Sequence, residues 1–395
     1  MRLLILAHAN RTAGPKYVAT NLIRALANLG PGVRVTAVMP AGCGYEPLAK
    51  ASDVTAVWFD QRGSRARRLV FDAVVLPRVA RRIRPDAILA LGNVGLHQPA
   101  VPQALLVHDP HFVYARQHHG PMTVMERLRY FIQRRELRLC FGRSPLIYSQ
   151  TPLMLERIRS TFGEHQGLKL LPNCAKTQAM AGGDDSGAIP APLQARAEAF
   201  RLICLCQYYA HKNIEILCDV FERFRDALQG VVVFLTIGAN QHAHAGALLR
   251  RIERSGLSDR IVNLGPIAED RISDYLHNCE GLLLPTKMES FSAVYLDAMQ
   301  CDLPILTSDL DFAREVCGEA ACYFDPDSPQ SIAESIVRMK GDRSLRRQLV
   351  EAGKARLRQV HSRSWAEIAS QVVADLQVCM RSPTGERRAC QPPSQ

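Results

Sequence analysis

The chain has 395 residues, of which 47% are hydrophobic and 22% charged, proportions that exclude a fibrous or largely disordered protein. This length exceeds what one hydrophobic core usually serves, so we expect two domains. No apolar run reaches the roughly 20 residues of a membrane span, and residues 1–9 are too short for a secretory leader. We therefore expect a cytoplasmic protein.

The net charge of +11 is unevenly distributed along the chain. Residues 1–190 hold 25 Lys and Arg against 12 Asp and Glu, a balance of +13, whereas the remainder holds 24 against 26, a balance of −2. Such asymmetry bears on partners rather than on fold. An anionic membrane surface or a phosphorylated substrate fits it. Nucleic acid is not expected, because the basic residues lack interleaved aromatic residues and a known binding module.

Strands alternate with helices in the first half of the chain, which predicts a parallel α/β sheet. We expect strands at 3–7, 33–39, 54–59, 87–91, 103–108, 145–149 and 169–171, and helices at 17–29, 69–83, 126–141 and 152–161. Gly14 falls in the first strand–helix turn, where a ligand could approach the backbone closely. His108 ends a strand and could hydrogen-bond a hydroxyl group or stabilise developing phosphate charge. The simpler interpretations are that Gly14 is an isolated turn glycine and that His108 is a turn histidine, neither of which contacts a ligand.

The predicted helix at 126–141 is strongly basic. Its simplest interpretation is a solvated face. The functional interpretation is attraction to an anionic bilayer, at about 1 kcal/mol per basic residue near the surface. We hypothesise that a membrane or acceptor surface is formed by Arg127, Arg134, Arg135 and Arg138.

Residues 178–196 are rich in Ala, Gly, Pro and Ser and indicate a linker. They divide the chain into domains at 1–190 and 191–380, followed by a polar tail at 381–395 that we expect to be disordered. The second domain repeats the α/β pattern. We expect strands at 201–206, 231–237, 261–264, 282–284, 303–306 and 321–324, and helices at 214–228, 244–255, 270–279, 313–316, 328–340, 344–360 and 365–379.

Residues 282–306 read as strand, turn, helix and strand, one unit of a parallel sheet. Ligands bind at the carboxyl ends of such strands, where helix N-termini point. Glu289 is expected to begin the helix, and Asp297 lies just over two turns later, so both acids could line one side. Lys212, at another strand end, could meet a phosphate. The alternatives are that Lys212 is an ordinary solvated lysine and that Glu289 is simply an acid favoured by the helix dipole.

These residues, in their order along the chain, resemble the pattern of the retaining glycosyltransferases of family 4. That family has the GT-B fold of two Rossmann-like domains facing across a cleft. The resemblance covers nearly the whole chain and is strongest at 201–340. Its main motifs are PTKMESFSAVYLDAMQCDLPILTSDL at 285–310 and DFAREVCGEAACYFDPDSPQSIAESI at 311–336. Lys212 matches the family's lysine. Gln207 stands where the family usually has Arg, and Asp297 where it has Glu.

The resemblance implies a division of labour between the domains. The second domain would bind a nucleotide-sugar, with Lys212 at the diphosphate, Asp297 at the ribose and Glu289 at the donor sugar. Backbone amides around Phe291 and Ser292 would hold phosphate. The first domain would bind a saccharide or lipid-linked acceptor, with His108 near the reacting carbon. Further donor contacts are expected from Gly14, Gln207, Gly238, Ser290, Phe291 and Ser292.

The implied reaction is retaining transfer of a sugar in cell-envelope polysaccharide or lipopolysaccharide synthesis, at the inner membrane face. No metal or other cofactor is expected, because lysine and helix amides would neutralise the leaving group. Two alternatives remain open: an inactive GT-B scaffold that binds a partner or saccharide, and an epimerase acting on the nucleotide-sugar alone.

Overall fold

A computed structural model describes residues 1–11, 13–60, 70–174, 189–360 and 362–381. The chain forms two compact units. The first comprises Met1–Val113, Thr123–Asn173 and the segment from Arg363 onward, and the second comprises Tyr114–Met122 and Cys174–Ser362. Most of the predicted linker, and the predicted tail after residue 381, lie outside the described residues.

The first unit contains a seven-stranded sheet within the described residues, and all of its paired strands are parallel. Its order is β3-β2-β1-β4-β5-β6-β7. The central strands are buried along almost their whole length, which explains their near-continuous apolar sequence. The strands are β1 Arg2–Leu6, β2 Arg34–Pro40, β3 Val54–Phe59, β4 Ala87–Ala90, β5 Gln103–Leu106, β6 Leu146–Ser149 and β7 Leu168–Leu170.

Helices connect these strands, except that a loop joins β4 to β5. They are α1 Ala13–Ala27, α2 Glu46–Ala51, α3 Leu76–Ile83, α4 Val124–Phe141 and α5 Pro152–Phe162, and a π-helical turn at Phe71–Val75 leads into α3. Helix α4 begins two residues before its predicted start. The reason is a capping box, in which Thr123 and Glu126 satisfy each other's backbone amides.

The second unit holds a six-stranded parallel sheet among the described residues, in the order β10-β9-β8-β11-β12-β13. Its strands are β8 Phe200–Cys204, β9 Val231–Leu235, β10 Ile261–Asn263, β11 Gly281–Leu284, β12 Ile305–Ser308 and β13 Ala321–Phe324. Its helices are α6 Ala191–Gln194, α7 Ile216–Arg223, α8 Ala243–Arg254, α9 Ile272–His277, α10 Val294–Gln300, α11 Asp311–Cys317, α12 Pro329–Gly341 and α13 Arg343–Val360. The predicted parallel α/β architecture is confirmed in both units.

The last described helix, α14 Trp365–Arg381, belongs to the first unit although the sequence suggested the second domain. It packs along α1, where the rings of Tyr17 and Trp365 meet edge to face. Asp375 accepts a hydrogen bond from the Tyr148 hydroxyl at 2.8 Å and pairs with Lys169 at 2.6 Å. These long-range contacts have no local signature in the sequence.

Each sheet reverses its strand order at one point, which in parallel sheets is where ligands bind. In the first unit the reversal lies between β1 and β4, and in the second between β8 and β11. Within the described residues, no helix is long and apolar enough to cross a membrane.

Candidate functional site

An ion pair occupies the reversal point of the second sheet. Lys212 lies in the 3₁₀ turn Ala210–Lys212 after β8, and Glu289 lies in the loop after β11. The Lys212 ammonium group donates to Glu289 Oε1, and the side chains are only 14% and 10% exposed. Two residues 77 positions apart in sequence are therefore joined where adjacent parallel strands end.

The charge of Lys212 is maintained despite its burial. Burial alone lowers the pKa of this lysine, but neighbouring negative charge, above all the Glu289 carboxylate, more than compensates, so the pKa is raised. Lys212 is thus a cation at neutral pH. It is held by one carboxylate at the edge where an anionic ligand would bind.

Hydrogen bonds fix the loops that carry the pair. The carbonyl of His211 accepts from the Lys287 amide at 2.8 Å and from the Thr286 hydroxyl at 3.3 Å. On the other side, Gln241 Oε1 accepts from the Tyr208 amide at 2.9 Å. The loops after β9, β8 and β11 are consequently tied side by side.

Tyr114 is a site residue that the sequence did not reveal. Its hydroxyl donates to the Glu289 carbonyl at 2.9 Å, and the ring is buried. The same short segment presses Gly120, at φ +70°, against Ala210, where an added Cβ would lie 3.0 Å from the backbone. Tyr114 is 175 positions from Glu289, so no spacing pattern could have indicated the contact.

Cys204 and Cys206 lie beside the ion pair, with 3.8 Å between their sulfur atoms. The hydrogen bond from the Cys204 thiol lowers the pKa of Cys206 against the effect of burial, and Lys212 lowers it further. The described cysteines are free thiols. Among the described residues, no group of three or more His, Cys, Asp or Glu could hold a metal ion.

The expected helix start at Glu289 is wrong. Helix α10 begins at Val294, because Ser292 adopts a left-handed conformation at φ 61° that interrupts a regular helix. Asp297 is therefore in the first turn of α10, and helical spacing does not relate it to Glu289. Phe291 is 2% exposed, so its side chain packs in the interior and does not face a ligand.

The other predicted donor residues also follow strand ends of the second sheet. Gln207 comes three residues after β8 and is half-buried, and its Oε1 atom accepts from the Tyr209 hydroxyl at 3.5 Å. Gly238 follows β9, where an added Cβ would lie 3.1 Å from the Gln241 side chain. Ser290 is half-buried beside Glu289.

In the first unit, His108 and Gly14 lie at the carboxyl edge of the sheet. His108 follows β5, and its amide donates to Asn93 Oδ1 at 2.7 Å. Burial lowers the pKa of His108 to about 4, so its imidazole is neutral at pH 7. Gly14 is in the first turn of α1 and has open space at its Cβ position. The four predicted surface arginines lie on α4 and are exposed.

Comparison with solved structures defines the class of fold. HepE from Anabaena, in complex with UDP and glucose, superimposes with a TM-score of 0.75 over 96% of this chain and 100% of its own, at 17% identity. Sucrose-phosphate synthase from Thermosynechococcus elongatus gives 0.73 over 96% and 98%, at 15% identity. The fold is GT-B, as the sequence suggested.

Sequence comparison finds similarity to glycosyltransferases. Residues 199–342 match the family model described as Glycosyl transferases group 1. The serotype-specific mannosyltransferase WbdA of Escherichia coli is 26% identical over 169 residues, which are 42% of this chain and 20% of WbdA. O-antigen chain mannosyltransferase B of Escherichia coli is 25% identical over 126 residues, 32% of each protein. The matches thus span between a fifth and a third of these relatives.

Proposed function

We propose that this protein is a retaining glycosyltransferase of family 4 that moves a sugar from a nucleotide-diphosphate sugar to a saccharide or lipid-linked acceptor. The observation that carries the proposal is the buried Lys212–Glu289 pair at the reversal point of a GT-B sheet. The matches to mannosyltransferases of O-antigen synthesis support a role in cell-envelope polysaccharide or lipopolysaccharide synthesis, and a mannosyl donor is the first to test.

In the proposed mechanism, the donor diphosphate competes with Glu289 for Lys212. The ammonium group stabilises the charge that develops as the diphosphate leaves, without a metal ion. Glu289 then turns its freed oxygen to the hydroxyl groups of the donor sugar, and Asp297 accepts from the ribose. The acceptor oxygen bonds to the anomeric carbon on the face that the diphosphate leaves, as the bond from that carbon to the phosphate oxygen breaks. The hydroxyl proton passes to the departing phosphate oxygen, and the anomeric configuration is retained.

The neutral His108 fits a hydrogen-bonding role toward the transferred sugar. With its pKa at about 4, the imidazole ring has one donor and one acceptor nitrogen across the physiological range. It would orient a sugar hydroxyl group, while the cationic role stays with Lys212.

A panel of sugar nucleotides tests the proposal. Thermal shifts and nucleoside diphosphate release are measured with GDP-mannose, UDP-glucose, ADP-glucose and dTDP-glucose, with EDTA present. We expect one donor to raise the melting temperature and release its diphosphate, and NMR of the product to show a retained anomer. Nucleotide binding without turnover would indicate the inactive scaffold, and an isomerised sugar nucleotide without acceptor would indicate the epimerase.

A further inference from the structure

Helix α4 exposes an apolar face in addition to its arginines. Only its C-terminal end is buried, through Leu137, Cys140 and Phe141. The exposed fractions reach 78% for Val124 and 61% for Phe131. The other exposed large apolar side chains of the helix are Met125, Leu128, Ile132 and Leu139.

These exposed residues form one stripe. At 100° per residue, the six side chains fall within an arc of about 120°. Soluble proteins seldom expose a contiguous apolar stripe of this kind unless it binds something. The stripe lies on the side of α4 opposite the buried residues.

Arginines border the stripe. Residues 124–143 contain six Arg and two Glu, a balance of +4. By the same helical geometry, Arg127, Arg134 and Arg138 fall along one edge, Arg129 falls beyond the other, and Arg135 lies within the stripe. All five are exposed. An apolar stripe bordered by basic residues is the pattern of a helix lying in the interface of an anionic bilayer.

We propose that the exposed face of α4 docks this protein on an anionic membrane surface, with Leu128 and Phe131 inserted among the lipid chains and the arginines at the headgroups. Charge complementarity selects this occupant. A second copy meeting the same face would bring two helices of +4 together, which their like charges oppose. The inference rests on the proposed function only in linking the surface to a lipid-borne acceptor.

Vesicle co-sedimentation tests the docking without any sugar transfer. The full chain is mixed with vesicles of phosphatidylcholine alone, or with a third phosphatidylglycerol, at low and physiological salt. Leu128→Ser/Phe131→Ser should reduce binding to the anionic vesicles about tenfold at both salt levels, because it removes inserted apolar surface. Arg127→Glu/Arg135→Glu should reduce it most at low salt, where charge attraction is least screened.

Matched substitutions on two other helices serve as controls. Val337 on α12 and Arg343 and Arg347 on α13 are also exposed, so Val337→Ser and Arg343→Glu/Arg347→Glu should leave binding unchanged. A Phe131→Trp variant should show blue-shifted fluorescence on anionic vesicles. Equal binding by the α4 variants and wild type would overturn the proposal. So would a concentration-dependent dimer that Leu128→Ser/Phe131→Ser dissociates while vesicle binding stays unchanged.

The two proposals can fail separately. Transfer to a soluble saccharide acceptor in the absence of vesicles reports on the donor site alone. Docking without transfer would support the membrane surface and contradict the proposed enzyme activity. Transfer without docking would support the activity and contradict the membrane surface.

Discussion

Two ion pairs lie at opposite ends of the same adjacent strands, β8 and β11. At the amino edge, Glu280 accepts from the Arg201 guanidinium at 2.7 and 3.2 Å and from the Arg201 amide at 2.6 Å. At the carboxyl edge, within the described residues, Lys212 meets Glu289 through a single side-chain contact. Glu280 thus accepts three hydrogen bonds from Arg201, most of what a carboxylate can accept, whereas the second pair leaves donors and acceptors for a ligand.

The difference indicates that the edge of the sheet on which an ion pair lies determines whether it serves stability or ligand binding. The Arg201–Glu280 pair fastens a strand start, which a planar guanidinium does well because it binds a carboxylate in two places. The Lys212–Glu289 pair is more deeply buried and less completely bonded, an arrangement that is poor for stability but suited to exchange of partners. We expect substitutions to separate the two pairs.

The largest expected effect is on catalysis. Lys212→Ala should lower sugar transfer about 100- to 1000-fold, the usual result of removing one group that stabilises developing anionic charge. Arg201→Ala should leave turnover within a few-fold of wild type. Nucleoside diphosphate release under saturating donor measures both. Equal losses in the two variants would show that the pairs do not differ in function.

Stability should distinguish the pairs as well. Glu289→Ala should reduce the free energy of unfolding by about 3–5 kcal/mol, because it leaves Lys212 as a buried, unpaired cation. Glu280→Ala should cost about 1 kcal/mol, since its carboxylate is partly solvated. Urea unfolding gives both values. The double variant Lys212→Met/Glu289→Ala should recover part of the loss, and a further loss instead would contradict the assigned coupling.

His108 extends the comparison to the first sheet, as a buried ionisable group that forms no ion pair among the described residues. Its folded-state pKa of about 4 lies below the ordinary 6.5, so the unfolded chain takes up the proton first as pH falls. Stability is therefore present above pH 6.5 and is lost between 6.5 and 4. At pH 5 the loss should be about 2 kcal/mol and absent in His108→Asn. If wild type and His108→Asn showed the same pH dependence of the free energy of unfolding, the lowered pKa of His108 would be contradicted.

The smallest expected effect concerns the support of Glu289. Tyr114→Phe removes one hydrogen bond to the Glu289 carbonyl, worth about 1 kcal/mol, and should lower kcat about fivefold with little change in donor KM. Tyr323→Phe is the matched control, since that hydroxyl donates to the Gly318 carbonyl at 2.6 Å. A similar kcat loss in both variants would indicate general destabilisation rather than positioning.

The parallel sheets were predictable because each strand and helix has its own apolar period. Lys212 and Glu289 could also be placed, since both follow apolar strands, and parallel topology gathers the carboxyl ends of neighbouring strands. The start of α10 was not predictable. The apolar spacing from Phe291 onward looks helical, but Ser292 takes a left-handed backbone that tertiary packing determines.

Contacts between distant segments were beyond the sequence. Tyr114 reaches Glu289 across 175 positions, and its own neighbourhood carries no motif. The exposure of the apolar side chains of α4 was not predictable for a related reason. A helical period shows which residues share a side, but it does not tell whether that side meets the core or the solvent.

The position of α14 has a consequence for synthesis on the ribosome. Residues 1–173 leave the exit tunnel well before Trp365, yet the surface of α1 that receives α14 belongs to this early segment. Asp375, the half-buried partner of Tyr148 and Lys169, is thus translated some two hundred residues after them. The α14-binding surface of α1 therefore stays uncovered until α14 has been translated, so the first unit cannot complete its fold before the second unit has been synthesised.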